Sequence, residues 1–214
     1  MESKLLERLA DKTLTKEELF QKVKQNFDLL PEIIQGVSSE KPAIRYGCGK
    51  VLMDLSQDDP EKLYPHMDFF IQLLQSKYRI LTWQAMGIIA NLTQVDITKK
   101  FDTIFDTYFG FLKDDYMVTV ANVVGHSGKI ALNKSYLIPK ITKELLKVER
   151  LKTTPHLTDE CKKVITEKAI HSFDMFFSQI KNKEEVLSFV KKHTGSSRKT
   201  LKTTSEEFLH KWNT

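Results

Sequence analysis

Cysteine is scarce. Cys48 and Cys161 stand 113 positions apart in a chain of 214 residues. No CxxC pair offers a metal clamp and nothing calls for a disulfide framework, so the pattern fits a reducing, cytoplasmic setting. Long apolar runs are also missing. No stretch approaches the roughly 18 residues a membrane span needs. The opening segment MESKLLERLADK is broken by charges every two or three residues and does not read as a signal peptide. Without an export signal, the glycosylation sequons at Asn91 and Asn133 are chance matches. Alternating β-branched runs and Asn-Gly hairpin signals are absent, which excludes a strand-built fold. None of the six histidines stands three or four residues from another His or Cys, so zinc-type spacing is missing and no metal or cofactor is expected.

Apolar residues at 41 % and charged residues at 29 % describe a folded, well-solvated chain. The formal net charge of +5 is unevenly spread. Residues 54–116 carry 6 Lys and Arg against 10 Asp and Glu; residues 134–170 carry 9 against 5, and residues 181–214 carry 8 against 4. A basic C-terminal part of this kind suits either solvated helix faces or an acidic partner such as nucleic acid.

The organising feature is an internal repeat. Leu30, Ile33, Ile34 and Val37 form an i, i+3, i+4, i+7 cluster, the spacing of one helix face. Met67, Phe70, Ile71 and Leu74 follow 37 residues later, then Ile104, Tyr108 and Phe111, then Ile141, Leu145 and Val148. A second helix repeats in step. Ile44, Cys48, Val51, Leu52 and Leu55 match Leu81, Ala85, Ile88, Ile89 and Leu92. Pro42 suits the first turn of the earlier of these helices, and Pro65 and Pro139 punctuate the connections. Thr15 and Glu18 spell a capping box ahead of a helix near residues 16–27. Phe208 and Trp212 make an i, i+4 pair near the C-terminus. The adjacent carboxylates Asp58–Asp59 and Asp114–Asp115 fall in turns, where they are expected to cap helix N–H groups.

The segments AIRYGCGKVLMDL, RILTWQAMGIIANL and MVTVANVVGHSGKIA each place an apolar residue, a small residue and an aliphatic run in order. In this the chain resembles HEAT and armadillo repeat proteins from about Leu29 to Trp212, with Arg45 at the family's characteristic Arg position and Thr82 and Thr119 departing from it. Repeats of this kind stack into an array with one continuous core. The expected fold is therefore all-α, a right-handed α-α superhelix, a HEAT-like α-solenoid of about five helical pairs. One repeat domain covers 1–214. It has entry helices in 1–28, four repeats over 29–180 with a longer loop near 149–159, and a C-terminal repeat over 181–214.

One stretch invites a chemical reading. VVGHSGKIA, residues 123–131, sets Gly125, Ser127, Gly128 and Lys129 around His126. It fails as a phosphate loop, because Ile130 follows the lysine and no strand precedes it. It fails as a nucleophile elbow, because Lys129 occupies the last glycine position. The repeat makes it part of a second helix. A strict 37-residue offset buries Asn122, His126 and Lys129, at a cost of a few kcal/mol for each unpaired group. A 36-residue offset instead turns Met117, Ala121, Val124, Gly125 and Gly128 inward. The second is expected, with both glycines as spacers at a close helix contact and Lys129 in solvent.

The resemblance places second helices on the concave face, with Tyr46, Trp83, Asn122 and His126 along it. Tyr and Trp carry much interface energy, so these four residues are the candidate partner surface. The expected function is non-enzymatic binding of a protein or peptide on that face. The alternative is nucleic-acid binding through residues 134–214. A few HEAT-like proteins are DNA glycosylases or act in attaching chromophores. A glycosylase needs aromatics and a carboxylate in one pocket, and Trp83 and Trp212 lie far apart in the repeat order.

Overall fold

The computed structural model describes residues 4–212, and every regular element among them is helical. The chain divides into two compact units, residues 1–101 and 102–214. No helix among the described residues is long and apolar enough to cross a membrane.

In the first unit, α1 (Lys4–Ala10) and α2 (Lys16–Gln25) lead in. The capping box before α2 is present as expected: Glu18 N–H donates to Thr15 Oγ1 at 3.1 Å, and Thr15 N–H donates to Glu18 Oε2 at 2.8 Å. The short α3 (Leu30–Gly36) precedes the long α4 (Pro42–Asp58), which opens on Pro42. Then come α5 (Pro60–Leu63), α6 (Met67–Leu73), α7 (Arg79–Leu92) and the start of α8 (Lys100–Gly110). Helix α4 packs against α1, α2, α3 and α7. All ten matched inward residues of α4 and α7, from Ile44 to Leu92, are buried as the repeat requires. Asp96 lies in the α7–α8 connection. Its carboxylate accepts the Lys100 and Phe101 N–H groups at 2.8 and 3.0 Å and the Tyr64 hydroxyl at 2.6 Å, so it caps α8.

In the second unit the rest of α8 is followed by α9 (Met117–Asn133), α10 (Ile138–Leu145), α11 (Asp159–Phe176), α12 (Lys183–Lys191) and α13 (Lys199–Trp212). Helix α11 packs between α9 and α13. Phe177, Phe208 and Trp212 form an aromatic cluster, with the expected Phe208–Trp212 pair at 6.5 Å between centroids.

The register at α8 and α9 departs from both offsets considered above. Phe101, Phe105, Tyr108 and Phe109 of α8 and Leu112 just after it are buried, while Ile104 and Phe111 stay half-buried. Phe105, Tyr108 and Leu112 lie 38 residues after Met67, Phe70 and Leu74. The same offset of 38 carries the buried Leu81, Ala85, Met86, Ile89 and Leu92 onto the buried Thr119, Val123, Val124, Ser127 and Ile130. One added residue, not one removed, separates this pair from the pair before. Burying the hydroxyl of Ser127 is cheap because it donates to Val123 O at 2.7 Å, so it reaches no unsatisfied state.

Two glycine assignments change accordingly. Gly128 is buried, and a Cβ there would stand 2.5 Å from Met175 Sδ and 3.1 Å from the Ser172 carbonyl oxygen; it is the spacer expected. Gly125 is exposed and a Cβ there would meet nothing within 4 Å, so it spaces nothing. Met117 is half-buried rather than core. Lys129 is half-buried too, not free in solvent, and burial lowers its pKa. Of the paired carboxylates, Asp114 does cap a turn, accepting the Tyr116 N–H at 2.8 Å. Asp58 and Asp59 instead face Lys24, at 2.8 and 3.5 Å.

Candidate interaction surface

The four candidate residues are all half-buried and all sit on second helices, two in each unit. In the first unit Tyr46 lies on α4 and Trp83 on α7. Tyr46 belongs to a small cage. The Arg45 guanidinium stands 3.7 Å from the Tyr78 ring centre and 4.7 Å from that of Tyr46, and the two rings meet edge to face at 6.3 Å. Arg45 is 4 % exposed. It donates to Ser39 O and Glu40 O at 2.8 and 3.1 Å, and its Nε finds no partner. A buried charge without a carboxylate is held here by carbonyl dipoles and ring faces. The backbone carbonyl of Tyr46 accepts Gln84 Nε2 at 3.1 Å, tying α4 to α7. Much of the Tyr46 ring is therefore committed within its own unit.

In the second unit Asn122 and His126 lie on α9. The Asn122 side chain donates back to Val118 O at 2.8 Å, a local bond that leaves the helix surface where it is. His126 occupies the position that Ile88 fills in α7, by the offset of 38. It stands at the edge of the core, and burial, then the charges of Lys129 and Lys168, push its pKa down to about 4. The imidazole is neutral at physiological pH. Ser127 beside it is buried and spends its hydroxyl on the backbone. The constellation that suggested a nucleophile is thus a helix interior.

The open face of α9 runs through Val118, Asn122, Gly125, Lys129 and Leu132, three or four residues apart. That of α11 runs through Val164, Lys168, His171 and Met175. Val118, Leu132 and Met175 are 42, 44 and 47 % exposed; Met175 also packs its sulfur against Gly128 at the α9–α11 seam. Neither stripe contains Asp or Glu. Three acids of α11, Glu160, Glu167 and Asp174, lie on its other flank, spaced by seven, and are engaged by α13 and by Arg198 just before it. Glu160 accepts Arg198 Nη1 at 2.9 Å, Glu167 accepts Arg198 Nε at 3.1 Å and Thr200 Oγ1 at 2.7 Å, and Asp174 accepts Lys211 Nζ at 2.9 Å and Trp212 Nε1 at 2.6 Å. Val118, Leu132, Lys168 and Met175 were not among the residues singled out by sequence. The offset of 38 is the signal that finds the first of them, since it maps the exposed Ile80 onto Val118.

Solved structures share this architecture. A designed armadillo repeat protein matches with a TM-score of 0.62 at 17 % identity, over 96 % of this chain and 89 % of that one. An engineered protein matches with a TM-score of 0.58 at 10 % identity, over 96 % of this chain and 86 % of that one. No family model and no curated protein matches the sequence. The fold is all-α and of the armadillo/HEAT-like helical-repeat class. Within that class the designed armadillo array is a fold relative at low identity, and the likeness extends to architecture alone.

Proposed function

We propose that the chain is a non-enzymatic scaffold that binds a protein or peptide along the open face of its second helices. The observation that carries this reading is the pair of stripes on α9 and α11. They combine three exposed apolar side chains with amides, imidazoles and lysines, the mixture that interfaces use. Asn122 and His126 lie on or beside the α9 stripe. Trp83, half-buried on α7, is the aromatic anchor of the first unit; Tyr46 contributes only the part of its ring that Arg45 and Tyr78 leave open.

Nucleic-acid binding through residues 134–214 has less behind it. Lys147, Lys162, Lys163, Lys192, Arg198 and Lys211 all lie in ion pairs with carboxylates of the same unit. Those six are already neutralised, so phosphate contacts would fall to the other cations of this stretch, Arg150 and Lys152 among them.

The test is quantitative affinity capture with the wild-type protein and with Leu132→Glu and Val118→Glu, exposed positions at which folding is expected to persist. Proteins retained by the wild type and lost at least tenfold by both variants, with melting temperatures unchanged, support the reading. Retention of the same proteins by the variants overturns it. So does recovery of nucleic acid that withstands nuclease-free washing at about 50 mM salt and elutes steeply as salt rises.

A further inference from the structure

The connection between α10 and α11, residues 146–158, is thirteen residues long, against five to seven for the other connections that lead from a first to a second helix. In repeat proteins, extra length of this kind maps to loops and often to a binding face. Here it is not slack. Thr154 and Leu157 pair across a tight turn at 3.0 and 3.2 Å. Thr154 Oγ1 donates to Asp115 O at 2.7 Å, and Met117 N–H donates to His156 O at 3.1 Å, which fastens the segment to the start of α9. The His156 ring stacks on Tyr116 at 4.1 Å and 15°. Thr158 then caps α11, accepting Cys161 N–H at 3.3 Å. Ordering this loop costs entropy on folding, and these bonds hold it as a fixed wall.

That wall and the end of α8 enclose a cavity of about 580 Å³, within the range of small-molecule sites. Phe109, Leu112 and Leu157 are buried and line it with apolar surface. Its rim is charged and unbalanced. Lys147 is paired with Glu144, and the Asp114 carboxylate is engaged by the Tyr116 N–H. Lys113, Arg150 and Lys152 also line the cavity, are exposed, and have no ion-pair partner among the described residues; Asp115 is the one carboxylate of the lining left uncommitted. The lining holds four cations against three carboxylates, Asp114, Asp115 and Glu144, and one of the cations outside ion pairs is a guanidinium fork suited to carboxylate or phosphate, standing over an apolar floor.

We propose that this cavity binds a small amphiphilic anion: an apolar or aromatic body with a carboxylate or phosphate head. The body displaces water from Phe109, Leu112 and Leu157, and the head meets Arg150 and Lys152. The site is separate from the second-helix face and stands or falls without it.

The experiment is a fluorescence titration of the full chain with 1-anilinonaphthalene-8-sulfonate, followed by displacement with decanoate, decyl phosphate and decanol. One saturable site per chain is expected. One or both anions should displace the probe, naming the head group, while decanol at equal concentration should not. Arg150→Gln with Lys152→Gln, both exposed positions, should weaken probe affinity at least tenfold without moving the melting temperature. Leu132→Glu, on the second-helix face, should leave it unchanged. Absence of a saturable site, displacement by decanol as effective as by the anions, or wild-type affinity in the double variant would overturn the proposal.

Discussion

The α4–α7 seam of the first unit and the α9–α11 seam of the second solve the same problem with different parts. Each brings two long second helices together at a glycine. At the first seam the glycine is Gly49, and what fills its missing Cβ is the end of the Gln84 side chain, which reaches over to the Tyr46 carbonyl. A buried bond from Asn91 Nδ2 to Ser56 Oγ at 2.9 Å ties the other end. At the second seam the glycine is Gly128, and a Cβ there would meet the Met175 sulfur at 2.5 Å and, behind it, helix main chain, the Ser172 carbonyl oxygen at 3.1 Å. Ser172 Oγ donates to Val124 O at 2.6 Å and holds the two helices at that distance. A tolerant amide separates one pair, and a helix main chain bounds the other. The glycine with the harder neighbour is the one that cannot be replaced.

The largest difference between the seams should appear on substituting those glycines. At Gly128, alanine must push back a helix carbonyl held by its own hydrogen bonds, so overpacking on the order of 1–3 kcal/mol outweighs the roughly 1 kcal/mol of helix propensity gained. Gly128→Ala should lower the melting temperature, and Gly128→Leu should lower it much further. At Gly49 the Gln84 side chain has only to swing aside. The propensity gain then offsets the lost amide bond, worth about 1 kcal/mol, and Gly49→Ala should melt close to the wild type. Thermal or urea unfolding of the two alanine variants side by side checks this. Equal destabilisation at both positions would show that the seams are alike after all.

The two seams also differ in acid. No histidine lies on α4 or α7, whereas α9 carries His126 at the edge of its core. Its folded pKa of about 4 lies below the ordinary value of 6.5. The unfolded chain therefore binds the proton more readily, and stability must rise with pH between those values. The contribution is complete above about pH 6.5 and is lost as pH falls toward 4. His126→Gln should lose less stability than the wild type between pH 7 and pH 4.5, read as the change in denaturant midpoint. Identical losses would mean that the imidazole is not the group responsible.

Both seams test how far sequence reaches. The core of α4 and α7 is legible because large apolar residues mark every inward position, so a fixed offset of 37 matches Ile44 through Leu55 onto Leu81 through Leu92. Helix α9 is harder because Thr119 and Ser127 occupy core positions. An argument that places apolar residues inward slides the register past them, and two glycines then look equivalent. What decides the register is a bond from a hydroxyl to its own backbone, and sequence spacing carries no trace of that. The candidate surface was legible to the same extent. The helices that bear Tyr46, Trp83, Asn122 and His126 could be named. The Arg45 cage could not, because Tyr78 reaches it from the turn before α7.

The smallest expected effect is the most direct test of the register. If α9 ran at an offset of 36 from α7, Gly125 would face the core and alanine there would clash. In the structure Gly125 lies on the exposed stripe, with open space where a Cβ would stand. Alanine then loses no packing and restricts the unfolded chain, which favours the helix by roughly 0.5–1 kcal/mol. Gly125→Ala should therefore raise the melting temperature by a few degrees, while Gly128→Ala, three residues along the same helix, lowers it. Because propensity acts equally on both, the opposite signs isolate the contact made by Gly128. A fall in stability for Gly125→Ala would return that glycine to the helix interface and move the open face of α9 away from Val118 and Leu132.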